Sequence, residues 1–453
     1  MNALHMMRLL FEGAESTPLP TADPAAQSGL NAHHVSAVIR GIDIFSMVVW
    51  IVFTLCYFYQ YFYIFVAWFG NRDVPVAEKK NRFGLLICGR NEERVIGHCI
   101  DSLLAQDYPK DLITVFVCAD NCTDSTAQVA REAGAVVYER FNKELIGKGY
   151  ALEFLFDRIA EDYPETFDAF IIYDADNIVD SQFVTSMNDM LEEGFNVSTC
   201  YRNTKNFSDG LYASCSGLWF LRESKYLNNS RMILRLGSAV SGTGFMVRRT
   251  YLEKLGGWHF HLLVEDIQFT DECALDGEKI GFCKKAITYD EQPNNFRTWW
   301  NQRLRWAKGF LQLIPRYSVR LFKKGIKGSL TCLDMFLTIA PAFILSIFGH
   351  LAFLVGLILS FFSGQWDFLE VLKAIAQLLV GGYVTLFIVG LITTISEWKE
   401  IRTTPLRKIA MMLVFPLHIE LYLPITIAAL FSKPQWKHIE HNSVKTKEDF
   451  VRK

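Results

Sequence analysis

The sequence predicts an α/β domain on a mostly parallel sheet, flanked by membrane-spanning helices and by amphipathic helices at a bilayer surface. Three observations carry this reading. Between residues 83 and 140, short apolar, β-prone runs alternate with helical patterns, which implies a parallel sheet covered on both faces. Each run ends in a polar or acidic cluster, at the edge where such sheets bind ligands. On both sides of this region lie apolar stretches of about 20 residues or more, the length a helix needs to cross a bilayer.

Taken in order, residues 1–40 read as a poorly ordered segment without the basic, apolar and cleavage regions of a signal peptide. Residues 41–70 read as a transmembrane helix, because Ile42 to Phe69 carries one charge, Asp43. Arg72, Lys79, Lys80 and Arg82 come soon after it, whereas the first 40 residues hold only Arg8 and Arg40. The positive-inside rule places the adjoining α/β region in the cytosol. Residues 75–296 form the mixed α/β domain. Residues 297–329 read as interfacial helices, since Arg297 to Lys327 has nine Lys/Arg, no Asp/Glu, and interleaved Trp299, Trp300, Trp306 and Phe310. Residues 330–431 hold further apolar segments, near 330–362, 368–395 and 409–431. A polar tail, 432–453, closes the chain. Pro416 and Pro424 interrupt the last apolar segment, which reads as bent or re-entrant with the tail returning toward the cytosolic domain; three full crossings with an outside tail are the alternative.

The chain is 51% hydrophobic with a net charge of −2, so it has no general nucleic-acid signature. Its ten cysteines include no Cys-x-x-Cys pair and read as reduced, packed thiols in a cytosolic compartment.

The chemistry-bearing residues sit where the runs end. Phe83–Cys88 leads to Arg90-Asn91-Glu92-Glu93, and Ile113–Cys118 leads to Asp120-Asn121-Cys122-Thr123-Asp124. Gly147-Lys148-Gly149 reads as a Gly-rich turn that holds Lys148. Ile171-Ile172-Tyr173 runs into Asp174-Ala175-Asp176, two carboxylates whose repulsion a divalent cation would relieve. Glu265-Asp266 comes after Gly256-Gly257-Trp258, and Gln302-Arg303-Leu304-Arg305-Trp306 lies in the basic stretch. Taken singly these have plainer readings. Asp120 is also a helix N-cap, Asp-Ala-Asp a solvated turn, and Trp306 a membrane anchor.

All six in this order resemble the family 2 glycosyltransferases, in particular the membrane-embedded processive polysaccharide synthases of the cellulose, chitin, hyaluronan and poly-N-acetylglucosamine type. The resemblance runs from Phe83 to Trp306, and Gln-x-x-Arg-Trp is its most diagnostic part. It implies a GT-A fold, a nucleotide-sugar donor and inversion. Asp174 and Asp176 then match the family's pair for Mg²⁺ or Mn²⁺, with Asp174 also on the donor side. Asp266 matches the general base, and Glu265 orients it or touches the acceptor. Arg90, Glu92, Asp120 and Lys148 fall on the donor side, with Asp120 placed to accept the N–H of a uracil. Arg90 stands where some relatives carry an aromatic residue. Gln302, Arg305 and Trp306 match positions that hold the diphosphate and border the acceptor sugar.

The function so implied is elongation of a β-linked polysaccharide from UDP-GlcNAc or UDP-Glc by a multi-pass membrane protein that exports its product. Single transfer to a lipid or polyprenyl phosphate is the alternative. The expected partners are the donor, a growing glycan or lipid acceptor and membrane lipids, with no nucleic acid; the motifs name no accessory subunit.

Overall fold

The computed structural model describes residues 32–362, 368–433, 441 and 445–450. The chain divides into two compact units, one running up to Tyr57 together with Pro341–Val389, the other comprising Phe58–Ala340 and Gly390–Lys453.

The larger unit is built on one eight-stranded sheet. Its strands are β1 (Phe83–Gly89), β2 (Ile113–Asp120), β3 (Val136–Arg140), β4 (Ala169–Asp174), β5 (Ile178–Val179), β6 (Val197–Thr204), β7 (Phe245–Arg248) and β8 (Gly281–Asp290), in the order β3-β2-β1-β4-β7-β6-β8-β5. The first four are mutually parallel. β7 runs antiparallel to β4 and to β6, while β6 and β8 are parallel to each other. The sheet is therefore mixed, with a parallel half.

Both faces are covered, which is why the strands read as apolar runs rather than alternating ones. Leu85, Ile87, Val115, Val117, Ile171 and Tyr173 pack on one face with helices Ile96–Leu104 and Phe183–Glu192. Leu86, Phe116, Cys118 and Ile172 pack on the other with helices Lys148–Asp162 and Glu265–Asp276.

The basic stretch forms a single helix, Phe296–Ile326, and Pro315 does not end it. This corrects the expectation of several interfacial helices. Its buried side, including Trp299, Arg303, Ala307, Leu313 and Leu321, faces protein. Arg316, Val319, Arg320, Phe322, Lys323 and Ile326 remain exposed, mixing basic and apolar groups on the other side.

The segment expected at 330–362 breaks before Pro341 into helices Leu330–Ile339 and Pro341–Phe362. The last apolar segment breaks at Leu421 into Pro405–Glu420 and Tyr422–Phe431, three residues before Pro424, whose missing N–H cannot continue the ladder. The first apolar helix runs from Ala32 to Phe69, so helix already covers residues 32–40; residues 1–31 of the expected disordered segment lie outside the described residues. Among the described residues, three helical stretches are long and apolar enough to cross a membrane: Arg40–Phe69, Leu379–Ser396 and Pro405–Phe431, the last with its break at Leu421. In the smaller unit, Cβ atoms at Gly349 and Gly356 would meet Val49 and Ile42 at 3.4 and 3.3 Å, the close approach that small residues permit between apolar helices.

A buried ion pair fastens the larger unit. Arg231 grips Asp334 with Nε to Oδ2 at 2.8 Å and Nη2 to Oδ1 at 3.0 Å. The Tyr59 and Tyr63 hydroxyls donate to the same carboxylate at 3.1 and 2.8 Å. Helix 330–339 is thereby joined to the end of the first apolar helix and to helix Asn229–Ile233. Removing one partner strands the other charge in the interior. Asp334→Leu is expected to cost about 3 kcal/mol or more, seen as a lowered unfolding midpoint in detergent; a change within about 0.5 kcal/mol would mean the pair does not carry this junction.

Candidate active site

The parallel half of the sheet ends on one edge, and the site is built from the loops and helix starts beyond the strand ends. β1 and β2 turn at Asn91 and Asn121, both left-handed with φ of 59° and 53°, a conformation that suits asparagine. The two loops are tied together: the Thr123 N–H donates to Asn91 Oδ1 at 2.8 Å, and the Ser125 N–H to Glu93 Oε2 at 3.0 Å. Asn91, Glu93 and Asp124 thus shape the loops. Asp120, at the end of β2, is buried and paired with Arg140 at 2.7 Å.

Lys148 is the first residue of its helix. Gly147 before it has a φ of 140°, and a Cβ at Gly149 would lie 2.0 Å from the Phe260 carbonyl oxygen. The two glycines therefore let the helix start turn sharply and press against the loop leading to Glu265-Asp266. The Lys148 ammonium reaches Asp174 and donates to the Gly242 carbonyl at 2.7 Å. Burial opposes its charge, but Asp174 and Glu265 more than offset this and its pKa is raised.

Asp174 ends β4 with its side chain 35% exposed. Asp176 is turned inward; its Oδ2 accepts the Glu291 N–H at 2.7 Å and its Oδ1 the Asn177 amide at 3.3 Å. Among the described residues no three His, Cys, Asp or Glu side chains are grouped to hold a metal. The two carboxylates nevertheless suit Mg²⁺ or Mn²⁺, because such ions commonly take one or two carboxylates and complete their shell with substrate phosphate and water.

Glu265 and Asp266 open helix Glu265–Asp276, where the helix dipole favours negative charge. Burial and the Asp266 charge push Glu265 up to about 7, against Lys148 and Arg305. Burial likewise raises Asp266, against its local N–H donor and the charges of Lys148 and Arg202. Arg305 donates to the Leu263 carbonyl at 3.1 Å; burial lowers its pKa, opposed by Glu265, Asp266 and Asp174. The structure thus gathers Lys148, Asp174, Glu265, Asp266 and Arg305 into one electrostatic group.

Trp306 lies over the buried Arg303 guanidinium, 3.9 Å from its ring centre, with Phe220 edge-on. It is packed against protein, and so is the half-buried Gln302, whose Oε1 is enclosed without a hydrogen-bond partner.

Several residues were missed from sequence. Arg202, in β6, binds Asp290 through Nε at 2.7 Å and the Ser241 carbonyl at 2.7 Å, beside Asp266. Its signal was a cation inside an otherwise buried strand. Glu223 sits near Arg202 and Asp266, and burial raises its pKa. His441, from the tail, bonds Glu92 Oε2 through Nδ1 at 2.9 Å; burial opposes its charge, but Asp176 and Glu92 raise it to about 9. Lys445 reaches the Lys205 carbonyl, and Phe450 packs on Tyr289 at 4.4 Å. Residues 441 and 445–450 of the tail therefore lie on the sheet domain, against the loop after β1, the end of β6 and β8. No local sequence pattern could have paired positions 92 and 441.

This architecture has relatives. The mannosyltransferase of Pyrobaculum calidifontis, solved in complex with GDP-Man and Mn²⁺, superposes with a TM-score of 0.53 at 16% identity, covering 84% of this chain and 99% of that one, and so shares the GT-A-like fold. The probable glycosyltransferase YdaM of Bacillus subtilis is 30% identical over 268 residues, 56% of this chain and 61% of the relative. The beta-monoglucosyldiacylglycerol synthase of Nostoc sp. is 27% identical over 274 residues, 58% and 55% of the two chains. The poly-beta-1,6-N-acetyl-D-glucosamine synthase of Staphylococcus aureus is 24% identical over 287 residues, 60% and 65%. The chain thus spans less than two thirds of the length of each of these three curated relatives. Residues 81–309, just over half of the chain, match the glycosyltransferase-like family 2. The protein belongs to the family 2 glycosyltransferases.

Proposed function

We propose that the protein is a multi-pass membrane glycosyltransferase with a cytosolic catalytic domain, which elongates a β-linked polysaccharide from a UDP-hexose or UDP-N-acetylhexosamine with inversion and exports it. The observation that carries this is the convergence of Asp174, Lys148, Glu265, Asp266 and Arg305 beyond the ends of the parallel strands. The similarity to the poly-N-acetylglucosamine synthase and the three apolar helices support the polymer product and its export.

In this reading Asp266 accepts the proton of an acceptor hydroxyl while that oxygen attacks the anomeric carbon. The bond to the nucleoside diphosphate breaks on the opposite face, and the diphosphate leaves with the electron pair. Lys148 and Arg305 lie where that growing charge needs cations, with Arg305 suited to grip phosphate through two N–H groups. Glu265, titrating near 7, shields or orients the base. Trp306 and Gln302 would border the acceptor sugar, Trp306 through a ring held against Arg303. Asp174 and Asp176 would hold Mg²⁺ or Mn²⁺, which supplies further neutralisation of the leaving diphosphate when bound.

A second reading is favoured by the likeness to the beta-monoglucosyldiacylglycerol synthases: transfer of one sugar to a lipid. Incubation with radiolabelled UDP-GlcNAc and UDP-Glc separates the two. Elongation yields a polymer that stays at the chromatographic origin, whereas an exclusively organic-extractable single-sugar product overturns the polysaccharide reading.

Asp266→Asn is expected to lower kcat by about 100-fold or more while donor Kd moves less than about threefold. Equal loss of donor binding would assign Asp266 to the donor site. Asp174→Asn and Asp176→Asn should each weaken Mn²⁺-dependent UDP binding and abolish transfer; near-normal turnover by either would remove it from the metal pair.

The coupled acids set the pH dependence. Asp266 must be ionised to act as the base, and burial raises its carboxyl, so kcat/KM should rise with pH as Asp266 ionises. Lys148 opposes the upward shift of Asp266 as well as that of Glu265, so Lys148→Met should move this limb to higher pH. A limb that stays fixed in the variant would separate Glu265 and Asp266 from the titration that controls turnover.

A further inference from the structure

Asp120 and Arg140 stand opposite each other in the parallel ladder of β2 and β3. Both are buried. Arg140 Nη1 donates to Asp120 Oδ1 at 2.7 Å, and the Asn121 side-chain amide donates to the same oxygen at 2.9 Å. Arg140 is itself fixed, since its Nη2 donates to the Leu145 carbonyl at 2.8 Å and its own carbonyl accepts the Asn121 N–H at 2.7 Å. The Asn121 amide also donates to the Asn142 carbonyl at 2.9 Å, which ties in the loop after β3.

Among the described residues both side-chain hydrogen bonds to the Asp120 carboxylate fall on Oδ1, which leaves Oδ2 for a ligand. An ionised carboxylate is acceptor-only, whereas a protonated one carries an O–H donor. Which of these Asp120 presents depends on its surroundings. Burial pushes its carboxyl up, and Arg140 acts against that, with a smaller contribution from Arg90 in the loop after β1. Cys118, raised by its hydrogen bond with Cys88 and by burial, and Cys122, raised by burial, are thiols held neutral.

We propose that Arg140 is a positioning residue that makes Asp120 Oδ2 an obligate acceptor and so restricts the donor to nucleobases with an imino N–H. Uracil presents one at N3 and guanine at N1, while cytosine and adenine present a ring-nitrogen lone pair at the corresponding place. Two lone pairs facing each other leave a desolvated acceptor unpaired, the kind of mismatch that gives strong discrimination. The inference rests on the reading that Asp120 faces the base. It adds that the selectivity is imposed by a residue that does not touch the base.

Calorimetric titration of the full chain in detergent with UDP, GDP, CDP and ADP, in the presence of Mn²⁺, tests it. Wild type should bind UDP or GDP at least about tenfold more tightly than CDP and ADP. The preferred nucleotide methylated on its imino nitrogen should bind as weakly as CDP. In Arg140→Gln the main offset to the burial that pushes the Asp120 carboxyl up is gone, so the preference should shrink to under about threefold at about pH 6.5 and recover as the pH is raised. Arg140→Lys should keep part of it at neutral pH, which a merely structural loss would not produce. If Arg140→Gln keeps the wild-type preference at pH 6.5 while Asp120→Asn loses it, the role of Arg140 is overturned and Asp120 still faces the base. If Asp120→Asn keeps it too, the reading of Asp120 falls as well. Should Arg140→Gln not fold, wild type and Arg140→Lys decide: undiminished binding of the N-methylated nucleotide by wild type, or a Lys variant that discriminates no better than Asp120→Asn, overturns the proposal.

Discussion

The structure depends on neutralising a cluster of half-buried and buried carboxylates at one edge of the sheet. Asp174, Asp176 and Asp290 gather there because parallel strands deliver their carboxyl ends to the same side, and the starts of helix Glu265–Asp276 and of the π-helical turn Glu223–Asn228 add Glu265, Asp266 and Glu223. Left unpaired, such charges would cost several kcal/mol each. Three solutions appear side by side. Lys148 and Arg202 supply positive charge directly. Main-chain N–H groups hold Asp176 and Asp266. Glu265 accepts a shift to about 7 and so carries a proton part of the time. Such a site is balanced but not saturated, since Asp174 remains partly exposed and Glu265 can lose its proton.

Helix Phe296–Ile326 links this edge to helices Leu330–Ile339 and Tyr422–Phe431. Arg305 turns toward Glu265 and Asp266, while Arg303, two residues earlier, points into an aromatic box of Trp306, Phe220 and Tyr422. Leu421 interrupts the last apolar segment at the level of that box, so Tyr422 begins a new helix beside Arg303. Lys308 continues the contact by donating to the Ala429 carbonyl at 3.0 Å, close to the end of that helix. The last apolar segment is thus held directly against the helix that carries Arg305.

How much of this a sequence can reveal depends on how local each feature is. Strand ends were legible because an apolar run leading into Asp or Asn is a local pattern, and β1, β2 and β4 end at the expected clusters. Lys148 was legible through the glycines its turn requires. The antiparallel β7 was not, because its four residues, Phe245–Arg248, are too short to show a period. Arg202 and Glu223 were hidden for another reason. Each lies in a segment whose neighbours are core residues, and its role appears only when β6 and the π-helical turn Glu223–Asn228 meet Asp266. The basic stretch was misjudged in form, because its aromatic residues read equally as facing lipid or protein; the structure turns Trp299 and Trp306 to protein and leaves Val319, Phe322 and Ile326 outside.

The contact between Glu92 and His441 shows how a distant residue contributes to such a site. Closing a loop of this length costs only slowly increasing entropy, so the tail can be held by a few contacts. His441 supplies one of them and also places a cation near Asp176. Its folded pKa of about 9 lies above the ordinary histidine value, so this contact contributes fully below about 6.5 and is lost as pH rises through about 9. At neutral pH the imidazolium is therefore retained and adds to the positive charge already given by Lys148 and Lys205. Lys205 is committed to Glu291 and to the Asp176 carbonyl, at 3.2 and 2.9 Å, so it steadies the turn after β4 rather than its carboxylates. Local charges thus fix the backbone that presents Asp174 and Asp176, and more distant ones, from helix 148–162 and from the tail, set the electrostatic balance at the acidic pair itself.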